Sequence, residues 1–409
     1  MGSGVVIVGA GQAACQAAAS LRQMGYEGAL TLIGEESYLP YQRPPLSKTF
    51  LKDGAGYDSV QLRPQSFFET INCTVRTGVR AVSINRAQHL VNLDNGESIE
   101  YESLILATGA RARPYPALAQ AAPNVHYLRT VDDATALAAS LSRARRIAII
   151  GAGYVGMEVA ASATQLGVEV AVYEAAPRVM QRSIGPVTSA AIEGVHARRG
   201  VQLHLNTPIA GIHHDGQGGP LTISAGSVAP YTVDALVIGI GAESNIELAA
   251  EAGLDCGRGI MIDAVCRTSD PAIFAIGDCT EQTHPVYGPG FRLESVQNAI
   301  EQGKCAAATI AGKPQPPAGV PWFWSDQYEH RIQVAGLSAD HDQFIVRKPQ
   351  ADGGESVSQS VWYLRDRKVI AVEGLDAPKD FMAGRTLIKS GAEVNPDSLA
   401  DPAIAPQAA

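Results

Sequence analysis

The sequence predicts an α/β protein built from two copies of one strand–turn–helix unit, with a smaller α+β region after them. Three observations predict it. Val5-Val6-Ile7-Val8 runs into Gly9-Ala10-Gly11-Gln12-Ala13-Ala14, and the alanine-rich segment Cys15 to Met24 follows. Ile147-Ala148-Ile149-Ile150 runs into Gly151-Ala152-Gly153-Tyr154-Val155-Gly156, and Val159 to Leu166 follows. In both copies a second apolar strand then ends near an acid: Leu30 to Ile33 before Glu35, and Glu169 to Tyr173 before Glu174. Continuous apolar runs of this kind suit parallel strands covered on both faces.

Each glycine in the turn has a physical task. The first (Gly9, Gly151) permits the tight turn. The second (Gly11, Gly153) lets the backbone approach a pyrophosphate, and the third (Ala14, Gly156) lets helix pack closely on strand; alanine is allowed there. The helix N-terminus then presents free N–H groups and a positive dipole end to phosphate. An acid roughly 20 residues on holds a ribose hydroxyl, the place of Glu35 and Glu174. Two complete copies make two Rossmann-like dinucleotide-binding units. Two dinucleotides in one chain imply electron transfer between them, most simply from NAD(P)H to FAD.

At 409 residues, two or three domains are expected, and 46% hydrophobic content is ample for their cores. No apolar run reaches the roughly 18 residues of a membrane helix, and the N-terminal strand has no basic leader, so no signal peptide is expected. A net charge of −9 disfavours nucleic-acid binding. The six cysteines, Cys15, Cys73, Cys256, Cys266, Cys279 and Cys305, form no Cys-x-x-Cys or other close pair. Disulfide reduction, iron–sulfur and zinc sites therefore lack support, and a reduced cytoplasmic protein is expected.

Along the chain, Tyr38 to Lys48 contains Arg43-Pro44-Pro45-Leu46-Ser47-Lys48. It is a turn into a helix with proline in its first turn, read either as a wall of a flavin site or as a proline-stiffened loop. Val75 to Ile84 and His89 to Leu93 read as a strand pair, with a turn at Asn95-Gly96. Ser103 to Ala107 is a strand ending at Thr108-Gly109, where small residues allow crossover or close approach to a ligand. His126 to Thr130 and a helix from Asp132 to Ser142 lead to the second unit, whose helix Ile192 to Arg199 stops at Gly200. Ala235 to Ile240 ends at Gly241 and repeats the crossover. Ile273 to Ile276 ends in Gly277-Asp278; Asp278 is either an acceptor for sugar hydroxyls or a turn cap. A helix follows from Glu294 or Ser295 to Ala308. Pro314, Pro316, Pro317 and Pro321 mark a linker. After Trp322-Phe323-Trp324-Ser325-Asp326-Gln327 come strands Ile332 to Gly336, Gln343 to Val346, Val357 to Leu364 and Lys368 to Val372, a helix Lys379 to Lys389, and an Ala- and Pro-rich end expected to fray.

These motifs resemble those of the FAD-dependent, NADH-using ferredoxin reductases of bacterial oxygenase systems, the putidaredoxin reductase and biphenyl dioxygenase reductase type. The marks are Arg43 to Lys48, Ala107-Thr108-Gly109, Gly151 to Glu158, Ile276-Gly277-Asp278, Glu294 to Ala299 and Trp322 to Gln327. The resemblance implies a glutathione-reductase-like fold without the redox disulfide. It implies a split FAD domain at 1–112 and 241–318, an NADH domain at 113–240, and a C-terminal α+β domain at 319–409. FAD would be held by Gly9, Gly11, Ala13, Ala14, Glu35, Lys48, Ala81, Arg129, Asp278 and Val296, with Arg43, Thr108 and Gly109 as neighbours and Glu35 on the adenosine ribose. NADH would be held by Gly151, Gly153, Gly156, Glu158, Glu174 and Gly241. The residues implied at the reaction centre are Lys48 near flavin N5 and paired with Glu158, Trp324 near the isoalloxazine, and Tyr154 where the rings stack.

Hydride transfer needs donor and acceptor held at about 3–3.5 Å, with the cofactors carrying the chemistry. No acid–base residue is therefore expected. Glu174 would accept both ribose hydroxyls of NADH and repel a 2′-phosphate, although Arg178 nearby would soften that preference. The implied partner is a [2Fe–2S] ferredoxin that feeds a Rieske dioxygenase or a cytochrome P450, with Arg43, Arg63 and Arg292 as docking cations on a monomer or weak homodimer. No metal, nucleic acid or membrane enters this reading. Its rivals are an NADH oxidase or rubredoxin reductase, and a binding or signalling flavoprotein of the apoptosis-inducing-factor type.

Overall fold

The computed structural model describes residues 4–116, 122–214, 216–226, 228–284, 288–317, 319–348 and 357–408. The chain divides into two compact units. One comprises Met1–Gln42, Tyr57–Arg111 and Ala242–Gly319; the other comprises Arg43–Gly56, Ala112–Gly241 and Val320–Ala409.

The first unit is built on a parallel sheet in the order Thr74–Thr77, Leu30–Gly34, Gly4–Val8, Ser98–Leu106, Ile273–Ala275. Val5 to Val8 face Leu30 to Ile33 on one side and Ser103 to Leu106 on the other. All five residues of Gly4–Val8 are buried, as the apolar run requires. Ser98–Leu106 serves two sheets, because its first residues pair antiparallel with Leu90–Leu93. The expected single strand Val75 to Ile84 is instead two strands. Gly78 breaks it, so that Thr74–Thr77 joins the parallel sheet while Ala81–Asn85 pairs with Leu90–Leu93. Helices Gln12–Gln23 and Val296–Ile310 bury runs of alanine in the same core.

The second unit holds the second parallel sheet, ordered Gln202–His204, Glu169–Tyr173, Arg146–Ile150, Ala235–Ile238, Val125–His126. Its helix Pro186–Arg198 begins well before the expected Ile192. Gly185 and Pro186 at the N-terminus set the start, since proline has no N–H to waste there. An antiparallel meander, Ile209–His213, Leu221–Ala225 and Val228–Val233, is an addition that its weak alternation did not announce. The unit also contains a five-stranded antiparallel sheet, Trp322–Gln327, His330–Gly336, Lys368–Leu375, Gln359–Arg365, Gln343–Arg347, with helix Pro378–Ser390 against it. Trp362 is fully buried at the centre of that core.

The C-terminal segment is not frayed. Arg347 donates to the carbonyls of Leu399, Asp401 (2.9 Å) and Ile404 (3.0 Å), and Leu399 is buried. Composition suggested fraying, whereas a buried guanidinium from a distant strand supplies the anchor. No described helix is long and apolar enough to cross a membrane.

Candidate functional site

Both glycine turns are held by the same steric device. Gly9 sits at φ +116°, and a Cβ there would lie 2.0 Å from the Ala107 carbonyl oxygen. Gly151 sits at φ +101°, and a Cβ there would lie 2.5 Å from the Gly239 carbonyl oxygen. Thus the crossover strand of each unit presses on its own glycine turn. A Cβ on Gly156 would meet the Gly151 carbonyl oxygen at 2.0 Å, which is the close helix–strand packing the third position needs.

The second glycine differs in both copies. A Cβ on Gly11 would meet nothing within 4 Å, and one on Gly153 only the Gly239 oxygen at 4.0 Å. Gly11 and Gly153 are also the N-caps of Gln12–Gln23 and Tyr154–Gln165, and neither helix has a side-chain cap. Each turn therefore leaves open space beside unclaimed N–H groups. That is the cradle a pyrophosphate fills, and the residues present fit a dinucleotide in each unit.

In the first unit, Glu35 follows strand Leu30–Gly34 and is exposed, 3.9 Å from Arg80. Ala13 and Ala14 are buried in the helix, Ala81 opens its strand, and Val296 starts Val296–Ile310 behind the Ser295 cap. Thr108 and Asn245 clamp the crossover. The Thr108 hydroxyl donates to the Asn245 carbonyl (2.7 Å), and the Asn245 amide donates to the Thr108 carbonyl (2.8 Å). Asn245 N–H donates to the Gly109 carbonyl at 3.0 Å. Asp278 lies in the turn Gly277–Cys279, and its carbonyl accepts from Ser244 at 2.9 Å.

In the second unit, Glu174 spans the turn: Oε2 accepts from Ala152 N–H (2.7 Å) and Oε1 from Ala176 N–H (2.9 Å). Arg178, expected to soften the preference for NADH, is committed to the carbonyls of Ile184 and Gln181. Arg182 lies 3.3 Å from where a Cβ on Gly241 would be. Arg43 donates to the Arg129 carbonyl at 2.6 Å.

Lys48 and Glu158 meet at 2.7 Å, with side chains 15% and 6% exposed. The Glu158 carboxylate also accepts from Ser47 and, at 2.6 Å, from Ser325, so its buried charge has three donors. The Ser47 backbone carbonyl is itself bonded by Ser162 at 2.7 Å. The Ser325 contact depends on strand Trp322–Gln327, which the sequence pattern did not mark as a strand. Side chains alternate across it. Phe323 packs against Tyr154 with the rings tilted 41° (centroids 4.3 Å), Ser325 reaches Glu158, and Gln327 reaches His196 at 2.8 Å. Trp324 occupies the other face with Trp322, centroids 5.4 Å apart. Burial pushes the Tyr154 phenol up, so it stays protonated. Ser47, Ser325, Gln327 and His196 were missed from sequence; the period-two series Phe323, Ser325, Gln327 was the available signal.

Glu373 was also missed. Buried in Lys368–Leu375, it accepts from Gly185 N–H (2.8 Å) and the Thr188 hydroxyl (2.5 Å), and burial pushes its carboxyl up. It anchors the start of helix Pro186–Arg198, which carries His196. Of the expected docking cations, Arg63 lies over the Phe67 ring and Arg292 pairs with Glu294 at 2.7 Å. The six cysteines are free thiols; burial raises Cys15 to about 11 and Cys73 to about 12.

Residues 3–303 match the pyridine nucleotide-disulphide oxidoreductase model, and residues 322–408 match the reductase C-terminal model. The rhodocoxin reductase of Rhodococcus erythropolis is 41% identical over 97% of this chain and 92% of its own. A ferredoxin reductase for the CYP199A2 system from Rhodopseudomonas palustris superposes with a TM-score of 0.94 at 38% identity, covering all of both chains. The reductase in a covalent putidaredoxin reductase–putidaredoxin complex gives 0.93 at 35% identity, covering 99% of this chain and 97% of that one.

Proposed function

The chain belongs to the pyridine nucleotide-disulphide oxidoreductases, and from that premise we propose that it carries electrons from NADH through FAD to a [2Fe–2S] ferredoxin feeding a terminal oxygenase. The observation that carries this is the pair of open, uncapped glycine turns, in a chain that aligns along nearly its whole length with reductases of electron-transfer proteins. Bound FAD supplies the chemistry, accepting two electrons as hydride and releasing them singly.

The residues of this chain bind and orient. In our assignment Gly9, Gly11, Ala13, Ala14, Glu35, Ala81, Thr108, Gly109, Asp278 and Val296 serve FAD, and so do Arg43, Lys48 and Arg129. Gly151, Gly153, Gly156, Glu174 and Gly241 serve NADH. The FAD domain is 1–112 with 241–318, the NADH domain 113–240, and the C-terminal domain 319–409. Glu174 selects NADH because a second anion beside its carboxylate is repelled. Lys48, fixed by Glu158, adjusts local charge as hydride arrives without giving up a proton; Tyr154 and Trp324 supply aromatic surface. We place the protein in the cytoplasm as a monomer or weak dimer.

The test is anaerobic stopped-flow mixing of FAD-loaded protein with NADH, then with an oxidised [2Fe–2S] ferredoxin. Fast flavin bleaching followed by iron–sulfur reduction is expected. Fast bleaching without transfer, but with rapid reoxidation in oxygen, would replace the proposal with an NADH oxidase. Transfer to rubredoxin alone would change the partner, and bleaching too slow for turnover would point to a binding flavoprotein.

A further inference from the structure

Glu158 is the end of a buried chain of donors that all point one way. Its Oε1 accepts from the Ser325 hydroxyl at 2.6 Å. A hydroxyl has one proton, so Ser325 Oγ must accept from its other neighbour, which is Gln327 Nε2 at 3.1 Å. That leaves Gln327 Oε1 facing His196 Nε2 at 2.8 Å, so His196 carries its proton on Nε2. Nδ1 is then an acceptor, with the Tyr328 hydroxyl 3.4 Å away. Reversing the Gln327 amide would turn the Ser325 proton away from Glu158 and take one of three donors from a carboxylate that is 5% exposed.

His196 and Ser325 are fully buried and Gln327 is 1% exposed, so water does not compete for these bonds. The members come from three elements: helix Pro186–Arg198, strand Trp322–Gln327 and helix Tyr154–Gln165. All belong to the second unit.

We propose that His196 is a positioning residue. Through Gln327 and Ser325 it fixes the orientation of the Glu158 carboxylate, and hence of the Lys48 ammonium held on its other oxygen. This rests on the reading that Lys48 and Glu158 assist hydride acceptance.

The test compares His196→Leu, which cannot donate, with His196→Gln, whose side-chain amide can. The readouts are the anaerobic flavin-reduction rate constant and the NADH dissociation constant, both on FAD-loaded protein. His196→Leu should slow reduction about tenfold, the scale of one lost hydrogen bond between neutral groups, with NADH binding unchanged. His196→Gln should return to within about twofold of the unmodified protein. Glu158→Gln should slow reduction, and adding His196→Leu to it should slow it no further. If Glu158→Gln leaves the rate unchanged, the underlying reading of Glu158 fails. If Glu158→Gln slows the reaction but His196→Leu does not, or if the two losses add in the double variant, the positioning role fails. Should His196→Leu not retain FAD, Ser325→Ala removes one hydroxyl from the same chain and carries the same expectation.

Discussion

Acid should weaken the second unit through one histidine. Burial lowers His196 from its ordinary 6.5 to about 4; the bond to Gln327 opposes that shift and the charge of His330 adds to it. Between those values the unfolded chain binds a proton that the folded protein refuses. Stability from this group is therefore complete above pH 6.5 and drains away as pH falls toward 4. At 1.36 kcal/mol per pH unit, the loss between pH 7 and pH 4.5 comes to about 2.4 kcal/mol. The perturbation is His196→Gln, which keeps a donor and removes the titration. The three tryptophans, Trp322, Trp324 and Trp362, all lie in the same unit, so urea unfolding followed by their emission reads the right part of the molecule. Comparing the two proteins at each pH cancels every other titrating group. The advantage of the unmodified protein over His196→Gln should shrink by about 2.4 kcal/mol on going to pH 4.5. A difference constant to within about 0.5 kcal/mol, or an imidazole seen by NMR to titrate near its ordinary value, would refute the argument from burial.

Gly9→Ala and Gly11→Ala should part company. The first drives a Cβ to 2.0 Å from a backbone oxygen at a left-handed φ and should cost at least about 2 kcal/mol in urea unfolding. The second meets nothing and should fold normally while binding FAD more weakly, as isothermal titration of the apoprotein would show. Glu174→Ala with an arginine added nearby should raise the KM for NADH about tenfold and improve use of NADPH; an unchanged coenzyme ratio in steady-state kinetics would remove Glu174 as the selector. Arg347→Ala should release three carbonyls and make the chain beyond residue 395 susceptible to limited proteolysis, at a cost of about 2–4 kcal/mol.

What could be read from sequence was whatever hard sterics dictates. A turn that tolerates no Cβ must show glycine, and a strand covered on both faces must be apolar. Hence both glycine turns and the strands around them lay where expected. Strand Trp322–Gln327 hid because each face mixes aromatic and polar side chains, Trp322, Trp324 and Asp326 on one and Phe323, Ser325 and Gln327 on the other, so no hydrophobic alternation marked it. His196 hid for a related reason. A buried histidine is legible only through its partner, and Gln327 stands 131 residues away. The anchored C-terminal segment was misread because composition describes the segment, whereas Arg347 comes from elsewhere in the chain.

The bonding of Glu174 constrains how this lineage can change its fuel. The carboxylate proposed to choose the coenzyme also accepts the Ala152 N–H inside the phosphate turn. One substitution would therefore alter preference and loosen the cradle together, a valley of low fitness between two workable enzymes. The passable route starts with a neutral substitution that supplies Ala152 with another acceptor. Only after it is the acid free to go, so the order of mutations matters as much as their identity.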